Sequence, residues 1–113
     1  MIHTLTHALP HGITLSCRVS GEVGRPVLMF LHGFPEAAFV WDAMLLHFSR
    51  PENGGYHCVA PNLRGYERSS APVDVAAYRP KHLVADLVAE EVVHRLEAVE
   101  VDRKSTRLNS SHD

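Results

Sequence analysis

The chain has 113 residues, 45% of them apolar and 21% charged, and a formal net charge of −2. That is one ordinary domain of chain with apolar residues enough for a core. The balance of charge excludes the basic footprint of a nucleic-acid binder, no apolar run nears the ~20 residues of a membrane span, and the start Met1-Ile2-His3-Thr4-Leu5 lacks the pattern of a secretory signal, so a cytoplasmic location is expected.

Residues 2–9 read as a weak strand, and Pro10-His11-Gly12 as a turn. Ile13 to Val19 alternates apolar and polar, the period of a half-buried strand, so an antiparallel hairpin is predicted. A Gly- and Pro-containing loop runs from Gly21 to Pro26. Val27-Leu28-Met29-Phe30-Leu31 has no alternation, which fits a strand covered on both faces in a parallel sheet. From Ala38 to Phe48, Trp41, Met44, Leu45 and Phe48 recur at helical spacing. Glu36 stands before that helix, where a carboxylate favours the macrodipole. Arg50-Pro51 stops it and Asn53-Gly54-Gly55 makes the connection. Tyr56 to Ala60 is a second buried strand, ending at Pro61. Residues 61–79 form a loop too long for an idle connector. Pro80 suits the first turn of a second helix. There Val84, Val88, Val92, Leu96 and Val99 make an apolar stripe, with Asp86, Glu90, Glu91 and Glu97 away from it. The order β-β-β-α-β-α specifies an α/β sheet with an antiparallel start. Cys17 and Cys58 each lie in a strand-like apolar run and read as buried, reduced thiols.

Two blocks carry chemistry. Leu31-His32-Gly33-Phe34-Pro35-Glu36 follows the first buried strand, and Ala60-Pro61-Asn62-Leu63-Arg64-Gly65-Tyr66, with Ser69 and Ser70, follows the second. Together with Trp41 and the stretch from Tyr78 to Asp86, these residues resemble the α/β-hydrolase family. Within it they are most similar to the epoxide hydrolase and haloacid or haloalkane dehalogenase branch. The resemblance covers residues 1–101. It implies the N-terminal part of an α/β-hydrolase sheet, with strand order 1-2-4-3-5, which leaves Val27 to Leu31 at an edge prone to aggregation.

The resemblance also implies roles. Phe34 would offer its backbone N–H to an oxyanion hole, the site that stabilises developing negative charge during ester hydrolysis. Gly33 would let the backbone approach closely, and Pro35 would fix the turn, in this branch often after a cis peptide bond. His32 would orient the loop rather than act as the base. Arg64 would brace the long loop through carbonyls and carboxylates. The nucleophile, acid and base would all lie beyond Val101. Such an enzyme uses no cofactor: an Asp opens an epoxide or displaces a halide, and water then hydrolyses the ester. Its partner would be a small apolar organic substrate. A serine esterase or lipase, or a non-catalytic hydrolase-fold receptor, would stand on the same scaffold. The chain by itself is expected to be inactive.

Two positions depart from the family pattern. Glu67 stands where Gly is usual, a strained substitution if the position needs a positive φ. Asn62 stands where Asp is frequent. Nine histidines raise the question of a metal. His3, His7 and His11 are four apart but fall across a strand and a turn, with no cysteine or carboxylate to complete a ligand set. They are read as solvent-exposed, and no metal is expected.

The segment 102–112, Asp-Arg-Lys-Ser-Thr-Arg-Leu-Asn-Ser-Ser-His, matches one reading frame of a widely used sequencing adapter residue for residue. It is read as an assembly artefact. On this reading residues 1–101 are the N-terminal portion of a hydrolase core and 102–113 a foreign, disordered tail.

Overall fold

The computed structural model describes residues 1–110, with the backbone alone at 101, 102 and 104–110. Strand β1 (His3–Ala8) pairs antiparallel with β2 (Thr14–Ser20), from His3 opposite Val19 to Ala8 opposite Thr14. Leu9 N–H to Ile13 O at 2.7 Å closes the turn. Leu15, Cys17 and Val19 are buried as the alternation requires, but so are Ser16 and Ser20 on the other face.

Strand β4 (His57–Pro61) lies between β2, antiparallel to it, and β3 (Val27–Met29), parallel to it. The sheet order is β1-β2-β4-β3. Every residue of β4 is buried, as a continuous apolar run in the middle of a sheet implies. β3 is shorter than the apolar run that announces it, and among the described residues it pairs only with β4, which leaves it at the edge. Between them, a 3-10 turn over Ala38–Trp41 leads into α1 (Asp42–Phe48). Leu45 is fully buried, and Trp41 and Phe48 flank Phe30 with ring centroids 5.2 and 6.3 Å away. Burial of a leucine of this kind contributes ~1.5–3 kcal/mol. The acidic residue in the first turn of α1 is Asp42, not Glu36. Glu36 sits in the preceding turn, its N–H bonded to Gly33 O at 2.7 Å. Asp42 is gripped by Arg18 of β2 at 2.6 and 2.7 Å, tying the helix to the sheet.

Helix α2 (Pro80–Ser110) reverses the inside and outside that hydrophobic pattern alone suggests. Its valine and leucine stripe faces outward, with Val84 and Val88 57% exposed and Leu96 63%. Asp86, Glu90 and His94 are the buried side. Ala89 and Val93 pack with them onto Leu9, Ile13 and Leu15. The cause is the surface this helix meets, which offers histidine, arginine and thiol groups that pair with carboxylates. The helical backbone runs past residue 101 to Ser110, over positions where the sequence reading places a disordered tail. Residues 111–113 of that tail lie outside the described residues.

Candidate functional site

The loop after β3 is held by its histidine. His32 is 5% exposed. Its Nε2 accepts the Leu63 N–H at 3.1 Å, so the ring proton sits on Nδ1, which donates to Gly33 O at 3.1 Å. Tyr66 packs edge-on to the ring at 4.7 Å. Both nitrogens are thus spent on backbone groups of the two motif loops. The Gly33 carbonyl also accepts from Glu36 N–H. A trans peptide unit is planar, with its C=O and N–H opposed. Pinning the Gly33 oxygen therefore fixes where the Phe34 N–H points. That N–H has no acceptor among the described residues. The Phe34 ring is 88% exposed, and the Phe34–Pro35 peptide is cis. A Cβ placed on Gly33 would meet nothing within 4 Å, so no close approach within the described chain demands glycine there.

The long loop is sewn to the sheet. The Asn62 side chain accepts from Ala38 N–H at 2.7 Å and donates to Ser16 Oγ at 2.9 Å. Ser69 Oγ donates to Asn62 O at 2.6 Å and accepts from Ser16 N–H at 3.0 Å. Ser70 exchanges two bonds with Thr14, through its Oγ and its own N–H. These contacts explain the buried serines of β2. Gly65 has φ +89°, and a Cβ there would lie 2.9 Å from the Tyr78 ring, so this turn needs glycine. Glu67, two residues on, has φ +46°, the conformation that makes its side chain a strained choice.

Arg64 braces the loop as anticipated. Its guanidinium donates to both Asp86 oxygens at 2.6 and 2.7 Å and to Ala77 O at 2.7 Å. His11 Nε2 reaches the same carboxylate at 2.7 Å. Burial opposes ionisation of Asp86, yet the hydrogen bonds from Arg64 and His11 prevail and hold it below the usual carboxylate range.

A second polar cluster lies one helical turn further along α2. His7 Nδ1 donates to the two Glu90 oxygens at 3.1 and 3.0 Å, the Cys17 thiol donates at 3.3 Å, and His94 Nε2 donates at 3.1 Å. Burial would raise the Glu90 carboxyl, but the bonds from His7 and His94 bring it down to about 2. The bond to Glu90 raises the His7 imidazole, against the effect of burial. Burial and the nearby Glu90 charge push the Cys17 thiol up, so both cysteines are inert, buried thiols. Burial, and then His94, lowers His57.

These clusters correct the reading of the histidines. His3 and His11 are exposed as expected and His7 is half-buried, but both His7 and His11 are bound to helix carboxylates. The carboxylate that spacing did not supply comes from α2, more than seventy residues away. One local sign was available: Asp86, Glu90 and His94 recur at i, i+4 and i+8, a polar stripe beside the apolar one. A cavity of about 280 Å³ is lined by Thr4, Ser16, Arg18, Asn62 and Glu67 among others. Neither Phe34 nor His32 borders it.

Residues 26–102 match a family described as alpha/beta hydrolase fold. The chain is 36% identical to an epoxide hydrolase of Caballeronia sordidicola over 66% of its own length and 22% of that protein's. It is 41% identical to epoxide hydrolase A of Mycobacterium tuberculosis, over 69% and 23%. Among solved structures, an epoxide hydrolase from Vigna radiata superposes with a TM-score of 0.70 at 41% identity, covering 78% of this chain and 27% of that one. The chain therefore spans about a quarter of the length of the relatives it matches.

Proposed function

We propose, for a chain that belongs to the alpha/beta hydrolase fold family and is epoxide hydrolase-like within it, that it supplies the oxyanion loop of an enzyme opening small apolar epoxides. The observation that carries this is the Phe34 N–H. It is unspent among the described residues and is aimed by the double anchoring of Gly33 O. In the proposed reaction an Asp carboxylate, in the part of the enzyme beyond this chain, attacks an epoxide carbon. The C–O bond breaks, the ring oxygen takes a proton from an acid group also beyond this chain and becomes a hydroxyl, and a hydroxyalkyl ester forms. Water, activated by a histidine and acid pair, then adds to the ester carbonyl. The Phe34 N–H donates to the oxygen that gains negative charge in that step. A preorganised donor of this kind is worth ~2.7–4 kcal/mol of transition-state stabilisation. His32 and Pro35 shape the loop, Gly33 presents the pinned carbonyl, and the exposed Phe34 ring forms one apolar wall for the substrate. Residues 1–101 belong to this core, and 102–113 are foreign sequence. The end of the family match at residue 102 supports that division.

The test is to recover the reading frame from its source locus, express the longer protein and follow hydrolysis of a small apolar epoxide. Epoxide turnover that falls about 10²–10³-fold in Phe34→Pro, which removes the N–H, upholds the reading. Ester turnover through a Ser nucleophile, halide release alone, or binding without turnover would each refute it. A native locus that encodes 102–113 as written would refute the division of the chain.

A further inference from the structure

His57, at the start of β4, is 97% buried by its 3% exposure, and neither ring nitrogen has a hydrogen-bond partner among the described residues. The Gly21 backbone lies near enough to act on the ring, but no hydrogen bond joins them. Buried polar groups left unpaired are rare and call for a reason. Its ring centroid is 5.4 Å from that of His94, which is 1% exposed and has its own unpartnered nitrogen, Nδ1. Glu97 Oε2 stands 3.6 Å from that Nδ1. One ligand atom from each of His57, His94 and Glu97 fits within a 4.8 Å sphere of mutual distance.

The partner of His94 on its other side decides which nitrogen is free. Glu90 accepts the Nε2 proton at 3.1 Å, so Nδ1 carries the lone pair and faces His57 and Glu97. A carboxylate that fixes the tautomer of a histidine in this way is the support that metal-binding imidazoles normally have. His7 and Cys17 in turn hold Glu90. Four-coordinate zinc with bonds of ~2.0–2.1 Å separates its ligand atoms by about 3.3 Å, close to the 3.6 Å between His94 Nδ1 and Glu97 Oε2.

We propose that His57, His94 Nδ1 and the Glu97 carboxylate form a site for one divalent first-row transition ion of the zinc type, with Glu90 as its positioning carboxylate. Two imidazoles and one carboxylate suit zinc, cobalt or nickel rather than magnesium or calcium. His94 also borders an open cavity of about 530 Å³ lined by Val27, Met29, Arg95 and Ala98 among others, and water completes the coordination. The neighbouring set of His7, Glu90 and His94 is the support layer, because its atoms are already bonded to one another.

The experiment is a cobalt(II) titration of the 113-residue chain, made without a histidine tag and carried on a soluble protein that binds no metal. The expected result is a tetrahedral visible absorption band that saturates at one equivalent and is displaced by zinc. The band is lost in His57→Ala and in Glu97→Gln, and retained in His3→Asn. Glu90→Gln weakens binding by about 10–100-fold. Glu97 is a third exposed at its side chain, so Glu97→Gln reads the site even if His57→Ala perturbs the fold. No band, no defined stoichiometry, or a band that survives Glu97→Gln and depends on His7 instead would overturn the proposal.

Discussion

Replacing Glu67 by glycine is expected to stabilise the protein, the reverse of what glycine usually does. Glu67 has φ +46°, and its exposed carboxylate makes no hydrogen bond or ion pair among the described residues. Its weak field reaches Arg18, whose grip on Asp42 is far stronger. Left-handed backbone costs an ordinary residue ~1–2 kcal/mol. Glycine removes that cost but gives the unfolded chain about 0.4–1 kcal/mol of extra freedom. The net gain is about 0.5–1 kcal/mol, or ~2–6 °C in Tm for a chain of this size. Urea unfolding followed by circular dichroism, at low protein concentration, gives the midpoint and slope for wild type, Glu67→Gly and Glu67→Ala. Alanine keeps a Cβ, so it should stay within about 0.5 kcal/mol of wild type. A loss of stability in Glu67→Gly, or an equal gain in Glu67→Ala, would refute the argument from backbone strain.

Asp86→Asn strands the Arg64 guanidinium, which is 5% exposed, and should cost about 3–5 kcal/mol in the same urea assay; a loss under 1 kcal/mol would contradict the bracing role. Because Arg64 and His11 depress the Asp86 pKa, its contribution is present above the unfolded value of about 3.9 and is lost as pH falls through the folded value. The raised His7 pKa has the opposite sign: its contribution is full below about pH 6.5 and is lost as pH rises through the folded value. Stability measured from pH 6.5 to 8 should therefore fall in wild type and fall less in His7→Asn. His57, whose pKa is lowered, loses its contribution only below about pH 6.5, outside that window. Val88→Gln, on the outward stripe of α2, should shift stability by no more than about 0.5 kcal/mol; a cost above 1 kcal/mol would place that stripe inside.

Much of this molecule is written locally. The alternation of Ile13 to Val19, the unbroken apolar run of Tyr56 to Ala60 and the punctuation by Gly and Pro specify β2, β4 and their turns, because each signal depends on neighbours within a few residues. The His-Gly-Phe-Pro and Arg-Gly-Tyr blocks likewise mark the two loops and the bracing by Arg64, and the strain at Glu67 is legible once the turn is recognised. The orientation of α2 was decided only in three dimensions. Its apolar stripe is the stronger periodic signal, but the surface it packs on carries Arg64, His7, His11 and Cys17, and buried hydrogen-bonded charges cannot be left without partners. Asp86 and Glu90 therefore turn inward to residues 22 to 83 positions away. Pairing across such separations has no local period, so although the i, i+4, i+8 recurrence of Asp86, Glu90 and His94 is visible in the sequence, its burial against His7, His11 and Arg64 is decided by the tertiary structure.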